Sequence, residues 1–180
     1  MEDKSPQRPR SLARRINGIV SACIVVFFLA HGILGGISAL TDFSSPLTWL
    51  VWVGVAFVVV HVVLSIVTSR QQLTDTVRPP SEAKRRHLLL KWVTGILLAV
   101  LVVIHIVVMR VVGPDTVQST VTGVALIIAL VVVLAAHIGL GSKSLLKDLN
   151  VDRKWRNTFR IAVCAVAAVI GTLVLVAAII

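Results

Sequence analysis

The stretch HLLLKWVTGILLAVLVVIHIVVMRVV, residues 87–112, decides the fold. Between Trp92 and Met109 it holds no Asp, Glu, Lys or Arg, and its one ionisable side chain is His105. At about 1.5 Å per helical residue, a run of ~20–25 residues crosses the ~30 Å hydrocarbon core with room for tilt. β-Branched residues are plentiful, but a lipid-exposed open sheet would leave its edge hydrogen bonds unmade. The stretch therefore reads as a transmembrane helix.

Four similar runs surround it. They cover about residues 16–40, 47–68, 116–140 and 161–180, separated by Thr41-Asp42-Phe43-Ser44-Ser45-Pro46, by a polar stretch with Pro79-Pro80, by Gly113-Pro114-Asp115, and by a charged segment over 143–160. The chain of 180 residues is 57% hydrophobic and only 14% charged, with a mean hydropathy of +0.95, so the bilayer is its solvent. The expected architecture is an all-α bundle of five transmembrane helices over residues 16–180, preceded by a basic cytoplasmic segment, residues 1–15. That segment and the run after it resemble a signal peptide, but the run is too long for an h-region and contains His31, so it reads as the first span.

All of the 18 Lys and Arg residues except Arg110 fall on one side of these spans. The positive-inside rule then places the N-terminus inside and the C-terminus outside, in a multi-pass membrane protein. The net charge of +10 follows this pattern; no basic stripe interleaved with aromatics is present, and no nucleic-acid partner is expected. Cys23 and Cys164 lie within apolar runs and read as packing residues. No connection is long enough to house a soluble catalytic domain, and no phosphate loop, nucleophile–base pair or paired carboxylates appear. Any chemistry belongs to a cofactor in the membrane or to partner subunits.

Ionisable residues inside spans are costly and commonly functional. The first four spans carry His31, His61, His105 and His137, one each, and the fifth carries none. A single such histidine is equally well an interhelical hydrogen bond. Four on successive helices sort by depth. His31 and His105 lie about 15 and 17 residues from the inner ends of their runs, or ~22–26 Å. His61 and His137 lie about 8 and 4 residues in, or ~6–12 Å. Each pair comes from alternate helices, which face one another diagonally in a four-helix arrangement. Two opposed imidazoles at one depth suit six-coordinate haem iron, and a vertical offset of ~10–18 Å leaves room for two haems. Zinc needs three or four ligands converging on one ion, which two depths do not provide. A proton relay would add carboxylates, and the helix cores have none. Gly32, Gly35 and Gly36 near His31, Gly54 before His61, and Gly139 and Gly141 after His137 would admit a porphyrin edge or, equally, close helix packing.

In the third run Thr94-Gly95 is followed by nine apolar residues and then His105. This Thr-Gly-x9-His pattern resembles the dihaem cytochrome b membrane anchor of bacterial succinate:quinone oxidoreductases, the succinate dehydrogenase and fumarate reductase family. The likeness extends over the five-helix pattern, while residue identity is concentrated in the third helix. It implies two haem b groups, an outer one ligated by His31 and His105 and an inner one ligated by His61 and His137. It also implies electron relay between a membrane quinone, expected to be menaquinone, and cytoplasmic flavoprotein and iron–sulfur subunits. Lys84-Arg85-Arg86 and the basic residues of 143–160 would dock such a partner or cradle propionates, or reflect the positive-inside rule alone. Arg110 and Lys143 are candidate propionate contacts, with snorkelling as the alternative for Arg110. Asp42, and after it Asp115, is the candidate for a quinone site; each also suits a cap or turn. The chain departs from the family in its short connections and its lack of acidic residues in the helix cores. Other readings are a different dihaem cytochrome, b561-like or the anchor of another reductase, and a non-redox scaffold or small transporter.

Overall fold

A computed structural model describes residues 11–41, 49–74, 81–152 and 154–179. All regular structure among these residues is helical: α1 Leu12–Leu40, α2 Leu50–Leu73, α3 Glu82–Val111, the short α4 Pro114–Ser119, α5 Val121–Asp148 and α6 Trp155–Ala177. Five of them, all but α4, are long and apolar enough to cross a membrane.

The helices outrun the apolar segments at their basic ends. The start of α1 at Leu12 places residues 12–15 inside the first helix rather than in a separate segment. α2 continues past Thr68 to Leu73, and α6 starts at Trp155, before the apolar run. Gly141 does not end the fourth span. The helix continues through Leu145 and Leu146, which are buried, and the Ser142 and Ser144 hydroxyls are satisfied within it by the Gly139 and Gly141 carbonyls, 2.8 Å each. It stops at a Schellman-type cap in which Asn150 is left-handed (φ 60°) and Val151 N donates to Leu146 O at 2.8 Å. The start of that span is also shifted. Gly113 (φ 90°) and Pro114 open α4, and Thr120, in an extended conformation, caps α5 by accepting from Gly123 N. A Cβ at Gly123 would run into the Val117 carbonyl, so glycine lets α4 fold back on α5.

α1 packs on α2, α5 and α6, α5 packs on α6, and α3 packs on α5. The buried apolar side chains concentrate in α5 and α6, notably Ile138, Leu145, Leu146, Val163, Ile170 and Val174; α3 has none. Gly32 and Gly36 serve the α1–α6 contact, since a Cβ at either would press on Ile170 or Leu173. Cys23 and Cys164 are exposed on the outside of the bundle rather than packed within it.

Around the histidines, α1 packs on α2 and α5, and α3 packs on α5, so the four helices form a ring whose α2–α3 side is joined through side chains. At the basic end each side of the ring is closed by a polar pair. Arg14 meets Asp148 at 3.7 Å (α1–α5), and Lys91 Nζ donates to Ser144 Oγ at 2.7 Å (α3–α5). Trp92 Nε1 donates to Ser69 Oγ at 3.3 Å (α3–α2), and Ser11 Oγ donates to Gln71 Oε1 at 3.4 Å (α1–α2). At the other end Arg110 lies over the Trp52 ring, 5.7 Å from its centroid, again joining α3 to α2.

Candidate functional site

His61 projects from α2 toward α1. Its Nδ1 lies 3.0 Å from Ser21 Oγ and 3.1 Å from Asn17 Oδ1. The Ser21 hydroxyl already donates to the Asn17 carbonyl at 2.6 Å, so its oxygen is an acceptor toward the ring. Asn17 Oδ1 can only accept. Two acceptors at Nδ1 fix the proton there and leave the lone pair on Nε2, whose neighbour is Ser65 Oγ at 3.4 Å.

His137 repeats the arrangement from α5 toward α3. Its Nδ1 lies 3.0 Å from Thr94 Oγ1, and that hydroxyl donates backward to the Leu90 carbonyl at 2.9 Å. Again Nδ1 carries the proton and Nε2 is left with the lone pair. Gly95 makes room for the ring: a Cβ there would stand 3.1 Å from His137 Cε1. The Thr-Gly dipeptide that precedes His105 in sequence thus serves His137, the histidine of the other pair.

The two remaining histidines lie further from the basic end. On α1, His31 is 10 residues beyond Ser21, and on α3, His105 is 11 residues beyond Thr94. Both separations correspond to ~15–17 Å along a helix. The His31 ring stacks parallel to Phe27, 6.0 Å between centroids, and Phe27 in turn fits against α2 where Gly54 has no side chain. His105 Nδ1 is buried with no hydrogen-bond partner among the described residues. An orphaned buried ring nitrogen is unusual in a folded protein. His61 and His137 are within electrostatic reach of each other, and so are His105 and His31. Among the described residues no three or more His, Cys, Asp or Glu side chains gather as a metal-ion site.

Lys91, near the basic end of the third run, acts electrostatically on both His61 and His137. It lies within α3, half-buried, and faces the ring of helices. Arg110 is engaged with Trp52 at the far end, and Lys143 is exposed beside Arg156, Asn157 and Arg160 on the α5–α6 side. Of the glycines named from sequence, Gly54 alone meets a neighbour of a histidine, whereas Gly35, Gly139 and Gly141 have nothing within 4 Å. Asp42 lies outside the described residues, as does the side chain of Asp115. Asn17, Ser21 and Ser65 were missed. The i, i+4 spacing of Asn17 with Ser21 and of His61 with Ser65 was the available signal.

No protein-family model, curated protein or solved structure matches the chain.

Proposed function

We propose that the chain is a membrane electron-transfer subunit that binds two b-type haems and relays electrons between a membrane quinone and a partner flavoprotein and iron–sulfur protein, as in the succinate dehydrogenase and fumarate reductase type. The observation that carries this reading is the shared state of His61 and His137. In both, oxygen acceptors hold the Nδ1 proton and leave the lone pair on Nε2, which at His61 meets a Ser65 hydroxyl 3.4 Å away that would give way to iron; this is the role that outer partners of a ligating histidine perform. The orphaned nitrogen of His105 at the second level also suits a site completed by a bound group.

His61 and His137 would hold one haem, His31 and His105 the other. Each haem, when bound, supplies one-electron redox chemistry. The chain's part is to fix the imidazoles, separate the two levels and set the local field. Ser21, Asn17 and Thr94 orient the rings and raise their basicity by accepting the Nδ1 proton. Lys91 places a positive charge beside the first pair, where it would attract an anionic propionate and favour an added electron. A basic face toward the cytoplasm would receive the partner subunits.

Full-length protein purified in mild detergent, after haem-replete expression, should show a b-type α-band in reduced-minus-oxidised spectra and about two haems per chain by pyridine haemochrome. A haem-free product sinks the reading in favour of a scaffold or transporter. A finer check is Thr94→Val, which removes the acceptor at His137 but keeps shape. It should leave both haems bound while raising the midpoint potential of one by on the order of tens of millivolts, because a less basic imidazole stabilises the oxidised iron less. Redox titration reads this directly, and unchanged potentials would show that Thr94 does not tune the ligand.

A further inference from the structure

The seam between α5 and α6, which pack on each other, carries two features that lie one above the other. At the basic end Lys143, Arg156, Asn157 and Arg160 line an open cleft of about 340 Å³. Three of the four are cations and none is a carboxylate. Arg156 Nε is buried and has no hydrogen-bond partner among the described residues, so the cleft holds a donor in want of an acceptor. Further along the same two helices, Ile128, Val132 and Ala135 of α5 and Ala168, Gly171 and Leu175 of α6 line an apolar groove of about 410 Å³.

The features share a helix face. Lys143 and Val132 differ by 11 residues, as do Arg160 and Gly171 and also Asn157 and Ala168. At 3.6 residues per turn that is about three turns, which returns each side chain to nearly the same direction. Between them the seam is open: Gly139 has nothing within 4 Å, and Cys164 is exposed. From the cations, the groove begins ~11 Å along the helices and extends to ~23 Å.

We infer that this seam is a binding site for one anionic phospholipid, with its headgroup phosphate in the Lys143–Arg156–Arg160 cleft and an acyl chain in the α5–α6 groove. Charge complementarity selects an anionic headgroup, and basic clefts between spanning helices bind such lipids. The planar guanidinium of Arg156 presents donors suited to phosphate oxygens. The apolar groove in line with the cleft selects a lipid over a soluble phosphate.

The test is native mass spectrometry of the full-length protein with dioleoyl phosphatidylglycerol, dioleoyl phosphatidylcholine, dihexanoyl phosphatidylglycerol and inorganic phosphate as separate probes. One dioleoyl phosphatidylglycerol should be retained on the order of ten-fold more strongly than the phosphatidylcholine. Arg156→Gln with Arg160→Gln should abolish that preference, while Arg85→Gln with Arg86→Gln, an equal charge change on exposed positions of α3, should leave it intact. Ala168→Phe keeps every cation and fills the groove, so it should reduce the advantage of dioleoyl over dihexanoyl chains. Equal losses from the two arginine pairs would overturn the proposal by showing diffuse surface charge. Displacement of the lipid by millimolar phosphate would overturn it in favour of a soluble-anion site.

Discussion

His137→Ala should remove one of two haems and leave the other spectroscopically intact, and His61→Ala should give the same residual species. His31→Ala and His105→Ala should both give the complementary one. The expectation follows from the two levels, ~15–17 Å apart, at each of which two histidines lie within electrostatic reach of one another. Partners in one site are not additive, so His61→Ala combined with His137→Ala should lose no more haem than either alone. Combining His105→Ala with His137→Ala should lose everything. Low-temperature spectra and haem stoichiometry on the four single and two double variants read the pairing outright. If His31→Ala and His61→Ala leave the same species, neighbouring helices pair and the diagonal assignment fails.

Gly95→Val should have nearly as large an effect without touching a ligand. Even a single Cβ at this position would stand 3.1 Å from His137 Cε1, closer than ordinary van der Waals contact, and a branched side chain adds two further methyls. The imidazole must then swing away from α3 and give up its Thr94 hydrogen bond, 3.0 Å long. On the proposed dihaem reading, the haem assigned to His61 and His137 should be lost while that assigned to His31 and His105 persists. Gly95→Ala should fall between, with both haems bound and the affected one released more readily on dilution. Retention of two haems with unaltered potentials in Gly95→Val would separate Gly95 from the site. The reverse pattern, loss of the far haem, would indicate that the Thr-Gly pair serves His105, its neighbour in sequence.

The five spans are legible in the sequence because lipid requires unbroken apolar length, and composition alone reports it. The ends are less so. Leu145 and Leu146 keep α5 helical beyond Gly141 through burial against the bundle, with the Ser142 and Ser144 hydroxyls satisfied inside the helix, and hydropathy along the chain is blind to both. The four histidines stand out as costly residues in apolar surroundings. What surrounds them depends on how each helix is rotated about its axis, and hydroxyls such as those of Ser21 and Thr94 carry no mark of that in a chain rich in small residues. Lys91 was hidden for a related reason. Read along the chain it adjoins the basic connection, yet in space it turns inward and bonds Ser144. The glycines mislead in the same way: Gly32 and Gly36 admit α6, while Gly95, known only as part of a motif, is the one against a histidine.

The spacing of the two levels has a consequence for energised membranes. A separation of ~16 Å along the helices is about half of the ~30 Å hydrocarbon thickness. An electron passing between one-electron carriers at those levels would therefore traverse about half of the transmembrane voltage. A full elementary charge is worth about 2.3 kcal/mol per 100 mV, so this step is biased by about 1.2 kcal/mol for every 100 mV. The two sites would behave as plates of a capacitor built into the bundle, and the distribution of an electron between them would follow the voltage across the membrane as well as the chemistry of the ligands.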